Sequence, residues 1–220
     1  MFTVLWDNDG VLVDTEGLYF QATQRVLQTV GIELTPEQFK AISLRRGEST
    51  FRLAAEEGFG PEEIAELRAK RDRIHAESLA TRCRVIAGVE DVLRSLRGEV
   101  RMIVVTSCRG EHFTIAHANS GLLRYFDGVL TREDFTHTKP SPEPYLKALR
   151  RFDLQAEECL VVEDSERGLA SAISAGLKCL VVPNTWTREG DFRGAWQVLP
   201  DISGVPAEIS KLASTRQASE

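Results

Sequence analysis

The chain begins with a short apolar run that ends abruptly at two aspartates. Residues Phe2–Trp6 have the length, the β-branching and the aromatic content of a buried strand, and the sequence Asp-Asn-Asp-Gly follows at positions 7–10. In open α/β sheets, ligands bind at the carboxyl ends of the strands. Because two like charges are costly to bury together unless they share a cation, Asp7 and Asp9 indicate a metal-dependent site at the end of this strand.

The segment after this strand contains only helical patterns. Four of them follow one another, over residues 16–30, from residue 35, over residues 49–57 and over residues 61–79. We therefore expect an all-helical cap domain, residues 16–82, inserted into a core domain that comprises residues 1–15 and 83–220.

From Val85 onward, short apolar runs alternate with helical patterns. The runs lack polar alternation, which is typical of strands covered on both faces. They lie at residues 100–105, 128–130, 159–162 and 178–182. This order predicts an α/β fold, with a Rossmann-like parallel sheet in the core and the helical cap inserted after the first strand.

Polar residues follow the predicted strands at their carboxyl ends. Thr106 and Ser107 come after one strand, and Glu163 and Asp164 come after another. Between them, Lys139 lies in a turn stiffened by prolines. Because the ends of parallel strands share one edge of a sheet, these groups should meet Asp7 and Asp9. Carboxylates bind Mg²⁺, while the ammonium and hydroxyl groups bind phosphate oxygens.

The motifs as a set resemble those of the haloacid dehalogenase superfamily of phosphatases and phosphomutases. DNDGVLVDTE from Asp7, VVTS with Thr106, KPSPEPYLKAL with Lys139 and VVEDSERGLASAISAG with Glu163 and Asp164 match its four motifs in order. The resemblance covers the whole chain and is nearest to the β-phosphoglucomutase and phosphoglycolate phosphatase branch. One departure is Glu143, which stands where the third motif usually has aspartate.

The resemblance implies a role for each core residue. Asp7 would be the nucleophile that forms an aspartyl-phosphate, and Asp9 the general acid and base. Thr106, Ser107 and Lys139 would hold the transferring phosphoryl group. The implied cofactor is Mg²⁺, held by Asp7, by Asp9 through its main-chain carbonyl and by Asp164. Glu163 would be either a further ligand or a residue that supports the ligands from behind.

The cap residues allow more than one interpretation. Arg45 and Arg46 lie in a cap loop that faces the active site in the resembling family, so they could bind a second anionic group of the substrate, or they could simply be solvated. The sequence Asp-Thr-Glu at residues 14–16 fits either a helix cap or a hinge that contacts the substrate.

Taken together, these features predict an enzyme that hydrolyses a small phosphorylated metabolite, such as a sugar phosphate, with Mg²⁺. Asp9 favours phosphate esters over haloacids, because an alkoxide leaving group needs a proton. A β-phosphoglucomutase-type mutase is the nearest alternative, although Gly47-Glu48-Ser49-Thr50 lacks the arginine which that family has there. A phosphonoacetaldehyde-type C–P hydrolase and a non-catalytic relative are the remaining alternatives.

The composition limits the classes of binding partner that we expect. The 220 residues carry a formal net charge of −6 and no basic block, so neither a nucleic acid nor a membrane surface is an expected partner. No apolar run is long enough for a bilayer, and no signal peptide is evident. The four cysteines have no paired spacing and are typical of reduced thiols. We expect a cytoplasmic monomer or small homo-oligomer.

Overall fold

A parallel sheet forms the centre of the computed structural model, which describes residues 1–217, with side chains to residue 212. Within these residues the strands are β1 (Thr3–Trp6), β2 (Val13–Asp14), β3 (Arg84–Val85), β4 (Arg101–Val105), β5 (Gly128–Leu130), β6 (Cys159–Glu163), β7 (Lys178–Val181) and β8 (Gln197–Val198). Six of them form one sheet in the order β5-β4-β1-β6-β7-β8, and all neighbours are parallel. The Rossmann-like parallel sheet is therefore confirmed.

Helices cover both faces of this sheet and form the segment after its first strand. They are α1 (Glu16–Gln28), α2 (Pro36–Phe39), α3 (Arg52–Glu56), α4 (Pro61–Arg82), α5 (Val89–Leu96), α6 (Gly110–His117), α7 (Glu143–Arg151), α8 (Glu166–Ser174) and α9 (Val205–Gln217). A π-helical turn, Lys40–Arg45, continues α2. Short 3₁₀ turns lie at Leu122–Tyr125, Arg132–Asp134, Ala156–Glu158 and Ile202–Gly204. Of the described helices, none is long and apolar enough to cross a bilayer.

The central strands β1, β4 and β6 are mostly apolar because both of their faces are buried. In β1, Val4 and Trp6 pack with α5 and α9 on one face, while Leu5 packs with α7 and α8 on the other. All three side chains have no exposed surface. The sheet register sets Trp6 beside Val104 and Val162, so the ends of β1, β4 and β6 are level.

The four helices predicted as a cap lie between β2 and β3, and residues 16–82 are called the helical insertion below. They have an apolar cluster of their own, which includes Phe20, Leu27, Phe39 and Phe51. Thr35 caps α2 in a capping box with Gln38. The insertion has no strand within its described residues, and this order of elements supports the proposed division into core and cap domains.

The sequence does not predict four of these elements, namely β2, β3, β8 and α9. The antiparallel pair β2–β3 joins the start and end of the insertion, with Val13 opposite Val85. The edge strand β8 has only two residues. The helix α9 is likewise not predicted from the sequence pattern. Two-residue strands carry too few side chains to show a period, so their pairing is set by tertiary contacts alone.

Candidate active site

The candidate site lies at the carboxyl ends of β1, β4 and β6. The main chain of Asp7 extends the parallel ladder by one bond, because its N–H donates to the Val162 carbonyl at 2.9 Å. Thr106 does the same beside β5, donating its N–H to the Leu130 carbonyl at 3.0 Å. The residues that follow the strands are therefore as rigidly placed as the strands themselves.

Lys139 is at the centre of a buried network of charges. Its ammonium contacts Oδ1 of Asp7 at 2.6 Å, Oε1 of Glu163 at 2.7 Å and the Val105 carbonyl at 2.7 Å. An ammonium has three protons to donate, and three acceptors surround this one. Glu163 also accepts a hydrogen bond of 2.6 Å from the Tyr145 hydroxyl. The loop of Lys139, predicted to reach the strand ends, does so.

The carboxylates of this network are held away from water. Burial, reinforced by Glu163, raises the pKa of Asp7 to about 7, although Lys139 opposes the shift. Burial, followed by the charge of Glu16, raises the pKa of Asp164 well above its usual value. Burial alone would lower the pKa of Lys139, but the negative charges of Asp7 and Glu163 raise this pKa above its ordinary value. Ionising these carboxylates therefore requires further positive charge.

A divalent cation fits this requirement. Oxygen atoms of Asp7, Glu163 and Asp164 lie within 4.8 Å of one another, and the three residues are buried. Three carboxylates against the one ammonium of Lys139 leave two negative charges in excess when all are ionised. Oxygen-only donors are those that Mg²⁺ prefers, so these three of the predicted ligands suit the charge and the chemistry of that ion.

Two hydroxyl groups orient Asp9. Thr15 donates to Oδ1 at 2.6 Å, and Thr106 donates to Oδ2 at 3.1 Å. The Thr106 hydroxyl in turn accepts the N–H of Cys108 at 2.9 Å. Thr106, predicted to bind phosphate, thus contacts Asp9 and has no exposed surface. Its neighbour Ser107 lines the cavity, and its hydroxyl has no hydrogen-bond partner in the described part of the chain.

A cavity of about 390 Å³ separates this network from the helical insertion. Asp7, Asp9 and Ser107 line it from the core side. Arg71, lining it from the insertion, is only 9% exposed, stacks over the Tyr19 ring at 4.4 Å and donates from Nε to Asp72 at 2.7 Å. The wall that the insertion contributes to the cavity thus contains a nearly buried cation.

The structure does not place Arg45 and Arg46 at this cavity. Nε of Arg45 lies 3.6 Å from Oε1 of Glu166, and Nε of Arg46 lies 3.4 Å from Oε2 of Glu48. Neither arginine lines the cavity. The π-helical turn that contains Arg45 directs it to α8, which the sequence pattern does not reveal.

Two further residues border the acidic cluster. Asn184, in the loop after β7, donates from Nδ2 to Oδ2 of Asp164 at 2.9 Å and lies 3.3 Å from Oε1 of Glu16. A side chain at Gly10 would collide with Glu16 and Asp164, which explains the glycine and its φ of +80°. Asn184 follows the end of β7 by three residues, so its sequence signal is the same placement of a polar residue after a buried strand.

Comparison with known proteins agrees with the motifs and the fold. Residues 4–182 match the family model described as haloacid dehalogenase-like hydrolase. The chain belongs to this family. Membership confirms the resemblance inferred from the four motifs, and several relatives are named as phosphatases, in agreement with the expected phosphoric monoester hydrolase.

Two relatives and one solved structure illustrate the similarity. The putative phosphatase YhcW of Bacillus subtilis is 30% identical over 84% of each chain. The fructose-1-phosphate phosphatase YqaB of Escherichia coli is 29% identical over 81% of this chain and 95% of its own. The crystal structure of CbbY from Rhodobacter sphaeroides in complex with phosphate has a TM-score of 0.78 and 25% identity, over 91% of this chain and 95% of that one.

Proposed function

We propose that the protein is a Mg²⁺-dependent phosphatase of a small phosphorylated metabolite, a sugar phosphate or similar, and that it acts through an aspartyl-phosphate at Asp7. The observation that carries this proposal is the position of Asp7, which lines the cavity while its Oδ1 is paired with Lys139. The second oxygen of Asp7 is outside that ion pair and is the nucleophile. The names of relatives that act on phosphorylated carbohydrates support the substrate class.

In the first step, Asp7 attacks phosphorus and the bond from phosphorus to the ester oxygen breaks. The leaving alkoxide takes a proton from Asp9, which Thr15 and Thr106 hold in place. In the second step, Asp9 accepts a proton from water, and the water oxygen attacks the phosphorus of the aspartyl-phosphate. Inorganic phosphate leaves, and Asp7 is a free carboxylate again.

The cation would be held by Asp7, Glu163, Asp164 and the main-chain carbonyl of Asp9. When bound, Mg²⁺ supplies positive charge that neutralises the carboxylates and the phosphoryl oxygens. Lys139 favours the ionised form of Asp7 and orients it, and Ser107 offers a hydroxyl without a hydrogen-bond partner in the described chain to a phosphoryl oxygen. Such positioning and charge neutralisation are the main requirements of phosphoryl transfer.

On the side of the insertion, Arg71 is the cation best placed to contact the organic part of the substrate. Arg45 and Arg46 remain predicted substrate contacts, and they would reach the cavity only after leaving Glu166 and Glu48. A mutase reaction, in which Asp7 passes the phosphoryl group to a second hydroxyl, is less well supported, since the named relatives are phosphatases.

The test is a screen of phosphorylated metabolites for Mg²⁺-dependent phosphate release, including fructose 1-phosphate and phosphoglycolate. Asp7→Asn should lower turnover by at least about a thousandfold with an unchanged fold, because the substituted side chain is a poor nucleophile. Asp14→Asn is the matched control, since Asp14 is exposed and lies outside the cavity. Turnover by Asp7→Asn would refute the nucleophile assignment. Conversion of β-glucose 1-phosphate to glucose 6-phosphate, with a trace of bisphosphate present, would instead establish a mutase.

A further inference from the structure

Asn8 and His117 are two buried polar side chains that the proposed chemistry does not use. Asn8 separates Asp7 from Asp9 in the chain, has no exposed surface and does not line the cavity. Its Oδ1 accepts a hydrogen bond of 2.7 Å from Nε2 of His117, which is the last residue of α6 and is 4% exposed. Nδ2 of Asn8 has no hydrogen-bond partner within residues 1–212, so the contact with His117 alone orients this amide.

The direction of each hydrogen bond around the His117 ring follows from its partners. Oδ1 of Asn8 can only accept, so Nε2 carries the proton. Nδ1 then accepts a hydrogen bond of 2.9 Å from the Ser120 hydroxyl, whose oxygen accepts the N–H of Leu122 at 3.1 Å. Burial lowers the pKa of His117 to about 4, against the charge of Asp9, so the ring is neutral near pH 7. The loop after α6 thus fixes the ring, and the ring fixes Asn8.

The stability of the core does not explain this pair. Two polar side chains lose their hydration on burial, and a single hydrogen bond between them offsets only part of that loss. The unpaired Nδ2 of Asn8 adds to the cost. Two apolar side chains of similar shape would fill the same space without it. The benefit of the pair is therefore the one geometry that its hydrogen bond specifies.

Asn8 is the residue at which the chain leaves the sheet. The preceding Asp7 still belongs to the parallel ladder through its N–H. The carbonyl of Asn8 accepts the N–H groups of Leu12 at 2.8 Å and Val13 at 3.2 Å, and these bonds close the turn that contains Asp9. The orientation of Asn8 therefore decides where the main chain of Asp9 lies relative to Asp7.

We propose that His117 is a positioning residue for the general acid: by holding Asn8, it fixes the turn that carries Asp9 relative to Asp7. This inference rests on the proposed function and adds to it a residue outside the four motifs. A displaced Asp9 impairs the step in which an alkoxide leaving group takes a proton. It has little effect on an acyl phosphate, because acetate leaves without a proton.

The first arm of the test compares kcat/KM for two substrates at saturating Mg²⁺. One is acetyl phosphate, and the other is the alkyl phosphate hydrolysed fastest in the metabolite screen, such as fructose 1-phosphate. His117→Phe should lower kcat/KM for the alkyl phosphate by about tenfold to a hundredfold, the usual effect of a small displacement of a reacting group. The value for acetyl phosphate should change little.

Two further variants separate the bond to Asn8 from the presence of a polar side chain. His117→Gln places an amide N–H near the position of Nε2 and should keep the wild-type ratio of the two kcat/KM values. His117→Asn ends near the position of Nδ1, retains only the contact with Ser120 and should lose the ratio as His117→Phe does. Thr114→Ala, at an exposed position of α6, is the control and should leave the ratio unchanged.

The second arm reads the hydrogen bond without turnover. Nitrogen-15 NMR of the histidine rings should show a neutral His117 with its proton on Nε2, and a proton on Nδ1 would overturn the inference. Equal ratios in wild type, His117→Gln and folded His117→Asn would overturn it as well, while the proposed function stands. An equal loss on both substrates would show a general effect on the fold and would also overturn it. Wild-type protein that hydrolyses neither substrate would instead refute the proposed function, whatever the NMR shows.

Discussion

Lys139 shows how a single side chain can both stabilise a fold and prepare a reaction. Its ammonium is 2% exposed and contacts two carboxylates and a main-chain carbonyl, so each of its protons has an acceptor. Asp7 and Glu163 are themselves buried. The Lys139 ammonium offsets much of the free energy that their carboxylates lose on leaving water. Removal of one partner of such a group is costly because the remaining charge stays desolvated.

Lys139→Met should therefore destabilise the protein by about 3–5 kcal/mol in the absence of divalent cations and should abolish turnover. The free energy of unfolding is measured by urea titration. Lys147→Met in α7 is the matched control, because Lys147 is exposed, and it should change stability little. Equal stability of the two variants would contradict the central place of Lys139 in the network.

The residues at the strand ends could be predicted because only main-chain geometry places them. Asp7, Thr106 and Asp164 follow parallel strands whose ends are level, so their proximity follows once the sheet is inferred. The partners of long side chains could not be predicted in this way. Arg45 pairs with Glu166, 121 positions away in the chain, and that choice depends on how the insertion sits on α8.

At the scale of elements, the loop after β7 connects two regions of the site. Asn184 contacts Asp164 from the side of the sheet. Two residues later, Trp186 packs against Phe20 and Phe39 of the insertion, with ring centroids 5.2 and 5.7 Å apart. One short loop thus contacts both an acidic side chain at the end of β6 and an aromatic cluster of the helical insertion.

Trp186→Ala should loosen the insertion over the cavity, although Trp186 does not line it. We expect kcat/KM to fall by about tenfold to a hundredfold, because small displacements of groups around the substrate have effects of that size. Trp196→Ala is the control: Trp196 lies near the end of the same loop, is 47% exposed and stacks with Lys178. A similar loss in both variants would indicate a general loss of stability.

The sequence predicts the long helices and the central strands better than the short elements that connect them. Long helical patterns such as α1 and α4, and apolar runs such as β4 and β6, lie within a few residues of their expected bounds. The π-helical turn and the β2–β3 pair were not expected. Both depend on contacts with distant parts of the chain rather than on local periodicity.

At the scale of the whole molecule, the insertion and the core meet along several contacts around the cavity. Asp72 of α4 forms an ion pair of 2.8 Å with Arg109, at the start of α6. Gly47 lies so close to the Lys139 carbonyl that an added Cβ would be 2.9 Å from it. The described conformation is therefore one in which the insertion covers the proposed catalytic residues.

The buried carboxylates make the stability of the whole molecule depend on pH and on cations. The pKa of Asp7 is raised to about 7, so between about pH 4 and pH 7 the folded cation-free protein keeps a proton that the unfolded chain releases. Its stability should accordingly fall as the pH rises through this interval. Mg²⁺ competes with this proton for Asp7. At a hundredfold excess over its Kd, Mg²⁺ should raise the free energy of unfolding by about 3 kcal/mol at pH 8, and by less at pH 5.

Thermal unfolding with Mg²⁺ and with EDTA, at both pH values, measures this effect. Asp7→Asn protein should respond less to Mg²⁺ and less to pH, since one of the competing carboxylates is gone. A stabilisation by Mg²⁺ that is the same at both pH values would show that proton and cation do not compete at these carboxylates.

The loop that carries Asn184 and Trp186 has a consequence for how the ligands influence one another. Asn184 contacts the acidic cluster, and Trp186 contacts the helical insertion. A movement of the insertion and the binding of a cation would therefore act on the same loop. Linkage then has to be mutual: the factor by which closure tightens cation binding equals the factor by which the cation tightens closure. We therefore expect the cation and the substrate to bind cooperatively, because the loop with Asn184 and Trp186 contacts both the acidic cluster and the helical insertion.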